Sequence, residues 1–225
     1  MDVISFLRTV PLSGNLPEDQ LEILAQSARE KKYRAGQLVI GERDEAHTFF
    51  MVASGRVKMF KGSHDGKEQT FYLLGPGELF GMCAVFSDCI FPVNVITLEE
   101  STLLIFPAKV LEDLARHDPA ILFNMIFILS CRLKESISLI ESLSLMEAPQ
   151  RVASFLLFSS LKKDCREGEV AELAISQREL SKVLGTAPET LSRILKRLAG
   201  ENIIRVTGRN IRVLDCEALE ELATG

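Results

Sequence analysis

Two short helices joined by a glycine turn constrain the fold of this chain more than any other feature of its sequence. Residues 176–179 (Ser-Gln-Arg-Glu) form a capping box, in which the serine oxygen accepts from the amide three residues on. Gly185 suits the end of that helix. Residues 186–189 (Thr-Ala-Pro-Glu) form a second capping box, which predicts a helix over 189–199 that Gly200 ends. Two capped helices around a tight turn predict a helix-turn-helix.

The second of these helices divides into two faces. Its apolar residues recur at helical spacing and predict a core-facing side, formed by Leu191, Ile194, Leu195 and Leu198. On the other side Arg193 can donate two hydrogen bonds to guanine, Glu189 can accept from cytosine, and Ser192 suits either kind of base edge. Thr190, Lys196 and the amides at the helix start suit phosphates. The residues predicted to contact DNA are Ser176, Gln177, Arg178, Thr186, Pro188, Glu189, Thr190, Ser192, Arg193, Lys196 and Arg209.

A predicted β-hairpin follows the second helix. Residues 203–206 and 211–214 are rich in β-branched side chains, and the turn residues Thr-Gly-Arg-Asn lie between them at 207–210. This is the position of the wing in a winged helix-turn-helix, with Arg209 at its tip. The alternative is a helical bundle whose charges are ordinary solvated side chains. The order of caps, turn glycine and hairpin favours the DNA-binding interpretation.

The charge of the chain is unevenly distributed. The 225 residues carry a net charge of −5, which argues against a generally basic nucleic-acid coat protein. Residues 148–225 nevertheless carry a net charge of +1, against −6 for the rest. The cations within residues 186–214 are Arg193, Lys196, Arg197, Arg205, Arg209 and Arg212, against the anions Glu189 and Glu201. We therefore expect a local phosphate-facing surface in this part of the chain.

The N-terminal half has a different pattern of apolar and turn residues. Leucines and isoleucines over 16–28 predict a short helix with Pro17 near its first turn. Short β-rich runs then follow at 38–40, 49–52, 57–60, 70–74, 93–96 and 102–106, and turn signals such as Ser54-Gly55 and Asp65-Gly66 separate them. Regular short strands with glycine punctuation predict an antiparallel sandwich or jelly roll. The length suits two modest domains, and 47% hydrophobic residues suffice for two cores.

A long helix is predicted from Asp118-Pro119 to about Met146. Its seam residues follow at alternating steps of four and three: Leu122, Ile126, Leu129, Leu133, Ser136, Ile140 and Leu143. An amphipathic helix packed on its own domain is one interpretation. A two-stranded dimer seam is the other, and it is favoured because the helix outruns the surface of a small domain. Residues 147–149 break the pattern, so the predicted domains are 1–117, 118–147 and 148–225.

Taken together these motifs resemble the CRP/FNR superfamily of bacterial transcription regulators over essentially the whole chain. Residues 189–193 (Glu-Thr-Leu-Ser-Arg) resemble the family's recognition-helix signature in its FNR-like form, and 74–81 resemble the glycine punctuation of its β-roll. The resemblance implies an α+β protein: an N-terminal double-stranded β-helix (a jelly roll of the cyclic-nucleotide-binding kind), a dimerisation helix and a C-terminal winged helix-turn-helix. It also implies a homodimer on palindromic double-stranded DNA and contact with RNA polymerase.

The family's cyclic-nucleotide sensors bind phosphate through a cassette that begins Gly-Glu and supplies an Arg-Ser pair. In this chain Gly81 matches, but Met82 follows it, and Phe91-Pro92 replace the pair. A buried cyclic phosphate needs a cation or oriented donors, which Phe and Pro do not provide. The family's cyclic-nucleotide sensors also carry a pair of hydroxyl side chains on the long helix. In this chain the corresponding residues are Ser136 and Ile137, so only one hydroxyl is retained. Cyclic AMP or GMP is therefore disfavoured as the signal.

Other signals stay open. Oxygen-sensing members hold an iron–sulfur cluster through an N-terminal cysteine group, whereas the first cysteine here is Cys83, and Cys83 with Cys89 is too few for four thiolate ligands. These two could form a redox disulfide or be small core residues. The sensor pocket is predicted around Phe80, Gly81, Met82, Cys83, Phe91 and Pro92. Its motifs resemble nitric-oxide-responsive, haem-associated members of the Dnr and HcpR type, so Cys83, Met82, His47 and His64 are candidate haem ligands. An unidentified apolar ligand is the alternative.

Other classes of protein fit the sequence less well. A cupin-type metal oxygenase needs clustered histidines. His47, His64 and His117 are isolated from one another, so an enzyme is not expected. The chain has no basic and apolar leader and no run of about 18 apolar residues. Its five cysteines form no dense framework. A cytoplasmic protein with reduced thiols and no membrane partner is therefore expected.

Overall fold

Between Arg29 and Pro107, strands form two antiparallel sheets in this computed structural model, which describes residues 2–87, 89–161, 170–172, 175–208 and 210–224. The strands are β1 (Arg29–Tyr33), β2 (Leu38–Ile40), β3 (Thr48–Ser54), β4 (Val57–Gly62), β5 (Glu68–Leu74), β6 (Leu79–Phe80), β7 (Asn94–Thr97) and β8 (Ser101–Pro107). One sheet has the order β1-β8-β3-β6 and the other β2-β7-β4-β5. Successive strands thus alternate between the sheets, except for the β4–β5 hairpin, and the predicted jelly roll, here called the β-roll, is confirmed.

Strand β3 is buried on both faces. Its odd residues Phe49 and Met51 lie in a core cluster with the helices, and its even residues Phe50 and Val52 lie in a cluster between the two sheets. The same alternation continues in β8, where Leu103 faces between the sheets. Because side chains alternate along a strand, these two neighbouring central strands separate the two cores of the β-roll.

Helices pack on the outer side of the first sheet. They are α1 (Val3–Leu7), α2 (Glu18–Ser27), α4 (Ala108–His117) and the start of α5 (Ala120–Leu145), and their buried residues share one cluster with β3 and β8. The predicted helix after Pro17 is confirmed as α2, with Pro17 as its N-cap residue. A short helix, α3 (Met82–Val85), follows β6.

The long helix α5 begins after a capped turn. The Asp118 carboxylate accepts a hydrogen bond from the amide of Ala120 at 2.9 Å, which satisfies one of the free donors of the first turn. The helix runs for 26 residues, and by its contacts the chain divides within it into two compact units, 1–136 and 137–225. No helix in the described ranges is long and apolar enough to cross a membrane.

The second unit contains the predicted helix-turn-helix and hairpin. Its elements are α6 (Ala148–Leu161), β9 (Val170–Glu172), α7 (Gln177–Val183), α8 (Pro188–Gly200), β10 (Ile204–Thr207), β11 (Asn210–Val213) and α9 (Cys216–Thr224). The strands form a sheet in the order β10-β11-β9. The fold of the chain is thus a β-roll, a long helix and a winged helix-turn-helix, as the sequence predicts.

Candidate DNA-binding interface and sensor segment

Helix α7 is capped as the sequence predicts. The Ser176 hydroxyl accepts a hydrogen bond from the amide of Glu179 at 3.2 Å, and the Glu179 carboxylate accepts from Lys182 at 2.9 Å. After Leu184 the chain turns through Gly185, whose φ of 58° is the left-handed conformation that glycine adopts without strain. The amide of Thr186 then donates to the Ser181 carbonyl oxygen at 3.0 Å, which closes the turn before α8.

The predicted second capping box is wrong. The N-cap residue of α8 is Ala187 rather than Thr186, and no side chain caps it. Pro188 explains the difference, because proline lacks an N–H and its fixed φ suits the first helical position, which moves the cap to the residue before it. At the other end α8 includes Gly200, and the left-handed residue that follows the helix is Asn202, with φ of 58°.

Helix α8 has the two faces that the sequence predicts. The apolar residues are at most 7% exposed: Leu191, Ile194, Leu195 and Leu198. Glu189, Arg193 and Lys196 are exposed on the opposite side, and Ser192 is partly exposed between them. The Arg193 guanidinium donates to the Thr190 hydroxyl at 3.3 Å, so the two side chains share one stretch of surface. This face offers a guanidinium, an ammonium, a carboxylate and hydroxyls to a partner.

The remaining predicted contacts surround this helix. Gln177 and Arg178 are exposed at the start of α7, Thr186 is partly exposed in the turn, and Pro188 is exposed. The hairpin is formed by β10 and β11 in antiparallel register, with Thr207 opposite Asn210 and Gly208 at φ of 62° between them. Arg209, predicted at the tip, lies outside the described residues.

Arg151, which the sequence analysis did not single out, is bonded to the turn between the two helices. From α6 its guanidinium donates to the carbonyl oxygens of Leu184 at 2.8 Å, Met146 at 2.7 Å and Gly185 at 3.4 Å. These carbonyls lie at helix ends, where backbone acceptors have no helical partner. A lone arginine early in a helix gives no sequence signal for this role, because the two acceptors in the turn between α7 and α8 lie more than 30 residues away.

The predicted seam of α5 is largely exposed. The exposed fractions of its apolar residues are 42% for Leu122, 60% for Ile126, 38% for Leu129, 62% for Leu133, 63% for Ile140 and 36% for Leu143. Ser136 differs, because its hydroxyl lies in hydrogen-bonding contact with that of Tyr72 in β5. Ile137, which is 57% exposed, continues the apolar stripe one residue later. An apolar stripe of this length on a helix surface is typical of an interface.

A polar cluster fastens α5 to the β-roll. The Tyr72 hydroxyl lies 3.1 Å from the Arg132 carbonyl oxygen, and the Arg132 guanidinium lies over the Tyr72 ring, 5.0 Å from its centroid. The same guanidinium donates to Glu78 at 2.8 Å and to Glu135 at 2.9 Å. Burial by itself would lower the pKa of Arg132, but the two carboxylates outweigh it and raise the pKa above its ordinary value. We call Tyr72, Glu78, Arg132 and Ser136 the helix latch.

Two aromatic rings of the predicted sensor pocket are packed inside the β-roll. Phe80 is stacked on Phe50 with centroids 4.8 Å apart, and Phe91 meets Phe50 edge-on at 6.0 Å. Both rings are at most 4% exposed. Gly81 between β6 and α3 has φ of 91°, and a Cβ at this position would lie 2.9 Å from Cζ of Phe91. The space beside Gly81 is therefore occupied by the chain's own aromatic side chain.

The other predicted sensor residues lie apart from these rings. Met82 is buried in the helix-side cluster, whereas Cys83 and Pro92 are exposed. Of the remaining candidate haem ligands, His47 has a side chain 70% exposed beside Glu45, and His64 is exposed in the β4–β5 turn. The described residues contain no group of three or more His, Cys, Asp or Glu side chains that could hold a metal ion.

Comparison with known proteins gives two family matches. Residues 30–118 match the cyclic nucleotide-binding domain, and residues 150–222 match the Crp-like helix-turn-helix domain. A protein of Thermus thermophilus named Cyclic AMP receptor protein is 31% identical over 215 residues, which cover 96% of this chain and 97% of that protein.

Solved structures match over most of the chain. FixK2 from Bradyrhizobium japonicum is 25% identical with a TM-score of 0.77, and the match covers 87% of this chain and 96% of that one. A variant of CooA from Carboxydothermus hydrogenoformans is 25% identical with a TM-score of 0.78, covering 88% of both chains. The similarity therefore extends through the β-roll and the winged helix-turn-helix alike.

Proposed function

Because this chain belongs to the CRP/FNR family of DNA-binding transcription regulators, we propose that it reads a palindromic operator with α8 of each protomer in a major groove. Members of this family bind DNA and act as dimers, and the relatives are regulators rather than enzymes. The observation that carries the proposal is the division of α8 into a buried apolar face and an exposed polar face. Two half-sites about one helical turn apart are the expected target.

Base recognition is proposed for the exposed side chains in the first half of α8. Arg193 has the planar fork that pairs with guanine O6 and N7, and Thr190 lies within reach to orient it. Glu189 is proposed to accept from cytosine and Ser192 to contact a base edge. Phosphate contacts are proposed for Lys196, Thr190, Thr186, Pro188 at the helix start, the α7 start (Ser176, Gln177 and Arg178) and Arg209 of the wing.

Dimerisation is proposed along the apolar stripe of α5. A seam of leucine and isoleucine with exposed fractions near one half is costly in water, and pairing with a second copy would bury it. A two-fold axis between the half-sites would pair the two α5 helices in parallel. Leu133, near the middle of the stripe, is the position where a charge would most disturb the pairing.

The signal is proposed to be something other than a cyclic nucleotide, although the Thermus relative carries cyclic AMP in its name. In this chain Phe91 stands where the resemblance expects a phosphate-binding pair, and its ring lies against Gly81. A phosphate there would lose its water without gaining a cation or an N–H donor. We expect cyclic AMP to leave both the melting temperature and the DNA affinity unchanged.

A resident haem of the nitric-oxide-responsive subtype does not fit the residues present. Its candidate ligands are separated: Met82 is buried in the helix-side core, Cys83 is exposed, and His47 and His64 lie on the surface. We propose instead that the signal changes the packing of residues 80–91, through an apolar molecule or through oxidation of Cys83 or Cys89. An absorption spectrum of anaerobically purified protein tests this, because a Soret band that shifts with nitric oxide would overturn it.

The helix latch is proposed to carry that change to α5. Glu78 lies two residues before Phe80, and its carboxylate accepts from Arg132 on the helix. A shift of the Phe80–Phe91 packing would therefore move the acceptor that holds α5, and α5 carries the dimer seam. DNA affinity measured before and after oxidation, or with and without the ligand, tests this route. Equal affinities would exclude control through this segment.

Two further assignments complete the proposal. We propose that the protein contacts RNA polymerase, as a regulator that activates transcription does. We also propose that it acts in the cytoplasm, where a chromosomal operator lies.

The decisive experiment is selection of bound duplexes from a random library by the purified full-length chain. We expect enrichment of an inverted repeat. For the Arg193→Ala variant we expect the base preference to be lost at one position in each half-site. Recovery of no common sequence, or of a direct repeat, would contradict the proposed mode of reading.

A further inference from the structure

An open groove lies in the second unit between the end of α5, the start of α6, the end of α8 and α9. Its volume is about 740 Å³, within the roughly 300–1,000 Å³ that is usual for sites that hold a ligand. Its apolar lining is formed by Leu145, Pro149, Ile203, Ala218 and Leu222. None of these residues takes part in the proposed reading of DNA or in the proposed dimer seam. We call this site the α5–α9 groove.

Leu145, the last residue of α5, borders the groove and is in contact with water. Its side chain is 79% exposed, more than that of any other large apolar residue in the described ranges. At the usual roughly 100° per residue it lies about 140° around the helix from Ile140 and about 160° from Leu143. Pairing of the proposed α5 seams would therefore leave Leu145 in water. An exposed leucine that continues into an apolar groove, unlike one that stands alone, is typical of an interaction surface.

The floor of the groove is held in place by hydrogen bonds. The Ile203 amide donates to the Leu198 carbonyl oxygen at 2.9 Å. The Ile203 carbonyl oxygen accepts from the amides of Leu214 at 2.8 Å and Asp215 at 3.2 Å. The Asp215 carboxylate accepts from the amide of Ala218 at 2.9 Å, near the start of α9. Because these elements are fixed to one another, little ordering is needed when a partner binds between them.

The rim of the groove carries an excess of negative charge. Glu147, Glu201 and Glu221 line it against a single cation, Arg197. The Arg197 guanidinium lies 3.9 Å from the Glu201 carboxylate, whereas Glu147 and Glu221 form no ion pair with any residue that the structure describes. Two uncompensated carboxylates beside an apolar floor favour a partner that has at least two cations next to an apolar face.

The same charges exclude other classes of partner. DNA and anionic lipid surfaces carry negative charge, which the rim would repel. The groove also lies at the far end of α8 from the proposed base-reading residues, since Glu201 follows Glu189 by twelve positions and hence by about 18 Å along the helix axis. A small amine would neutralise only one of the two carboxylates. A basic amphipathic helix, in contrast, presents several cations along the borders of one apolar face.

We propose that the α5–α9 groove binds a basic amphipathic helix of a partner protein. The apolar face of that helix lies on the groove floor and against Leu145, and lysine or arginine side chains at its borders pair with Glu147 and Glu221. The bound helix contacts both the end of α5 and the end of α8, and it thereby fixes the direction of α8 relative to the long helix. The binding itself does not depend on the proposed reading of DNA, whereas its effect on DNA affinity does.

A designed peptide tests the proposal. It has about 14 residues, or four helical turns, with leucine at the i, i+3, i+4 and i+7 positions and lysine elsewhere. Fluorescence anisotropy of the labelled peptide measures its binding to the purified full-length protein. A peptide with the same leucines and with glutamate in place of lysine is the charge control and should not bind. A dissociation constant above about 1 mM for the leucine–lysine peptide, or equal binding of the two peptides, would overturn the proposal.

Two pairs of protein variants locate the bound peptide. Leu145→Ser should weaken binding about tenfold or more, since burial of a leucine is worth at least about tenfold. Phe86→Ser, at a position of the β-roll that is 51% exposed, is its control and should leave binding unchanged. Glu221→Lys should also weaken binding about tenfold, because a cation of the peptide then meets a like charge. Glu220→Lys makes the same change of charge on an exposed residue of the same helix outside the groove, and its effect should be smaller.

The remaining outcomes separate the partner helix from other occupants. Binding that is the same for Leu145→Ser and Glu221→Lys as for their controls would overturn the proposal. The dissociation constant of the protein dimer, measured by analytical ultracentrifugation, should not change in Leu145→Ser. A raised value would identify a second copy of the chain as the occupant and would contradict a partner protein. Because the peptide is measured without DNA, failure of this proposal and failure of the proposed DNA reading are distinguishable.

Discussion

The ring of Phe91 lies against the backbone of Gly81, where a Cβ would come within 2.9 Å of Cζ of the ring and 3.2 Å of the Thr48 carbonyl oxygen. The two residues come from opposite ends of the segment that follows β6. Gly81 also has φ of 91°, so both its conformation and its surroundings exclude a side chain. This contact packs the two ends of the predicted sensor segment inside the β-roll, whereas Cys83 between them is exposed.

Substitution of Gly81 should therefore be costly. We expect Gly81→Ala to lower the free energy of unfolding by about 2–6 kcal/mol, since a positive φ and an overpacked site each cost about 1–3 kcal/mol. Urea denaturation of the purified protein measures this. Gly66→Ala is the matched control, because Gly66 has φ of 81° but nothing near its missing side chain. Equal losses for the two variants would show that Phe91 does not restrict position 81.

Truncation of Arg193 and truncation of Lys196 should change DNA binding in different ways. We expect Arg193→Ala to cost about 1–3 kcal/mol on the best operator and to relax the preference at one base pair, because a bidentate base contact is lost. Lys196→Ala should weaken all sequences alike and reduce the slope of log affinity against log salt by about one unit, because a phosphate contact is lost. Fluorescence anisotropy with matched and mismatched duplexes over a salt series measures both.

Arg151 should affect DNA binding without contacting DNA. Its guanidinium donates to the carbonyls of Leu184 and Gly185 at the turn between α7 and α8. We expect Arg151→Ala to lower the free energy of unfolding by about 1–3 kcal/mol, as for a lost charged donor, and to weaken DNA binding. Arg151→Lys keeps the charge without the planar fork and should rescue only part of the loss. Full rescue by lysine would mean that charge rather than the hydrogen-bond geometry matters.

The helix latch should stabilise the sensor unit. Removal of the Tyr72 hydroxyl leaves the Arg132 carbonyl and the Ser136 hydroxyl with one partner fewer. We expect Tyr72→Phe to lower the free energy of unfolding by about 0.5–1.5 kcal/mol, the usual net value of one hydrogen bond. Ser138→Ala, at an exposed position of the same helix, is the control and should change it by less than about 0.5 kcal/mol. Thermal denaturation followed by circular dichroism compares the two variants.

The strands that the sequence predicts all have apolar side chains on at least one face, and three observed strands were not predicted: β1, the two-residue β6 and the three-residue β9. Strand β1 escaped prediction because its first four residues, Arg29–Lys32, are charged and exposed, and its only buried residue is Tyr33. It is held at the edge of its sheet by backbone pairing with β8, a contact between residues about 70 positions apart. Charged edge strands are common in proteins, and no local pattern distinguishes them from loops.

In the candidate site, too, features that depend on neighbouring residues were predicted, and contacts between residues far apart in the sequence were not. Ser176 and Gly185 were predicted in their roles because helix caps and turns depend on a few neighbouring residues. The shift of the α8 cap to Ala187 could also have been predicted, by placing Pro188 at the first helical position. The sequence indicated that Phe91 cannot bind a phosphate. That its ring fills the space beside Gly81 depends on where β6 and residue 91 meet in three dimensions.

Strand β3 has a consequence for how this chain can change in length. Phe49 and Met51 belong to one core and Phe50 and Val52 to the other, so insertion of a single residue inside β3 would send every side chain beyond it into the opposite core. Insertions of any size in the β4–β5 turn, where residues 62–67 are exposed, carry no such exchange. Length variation in the β-roll should therefore accumulate at that turn, while β3 keeps a fixed count of residues.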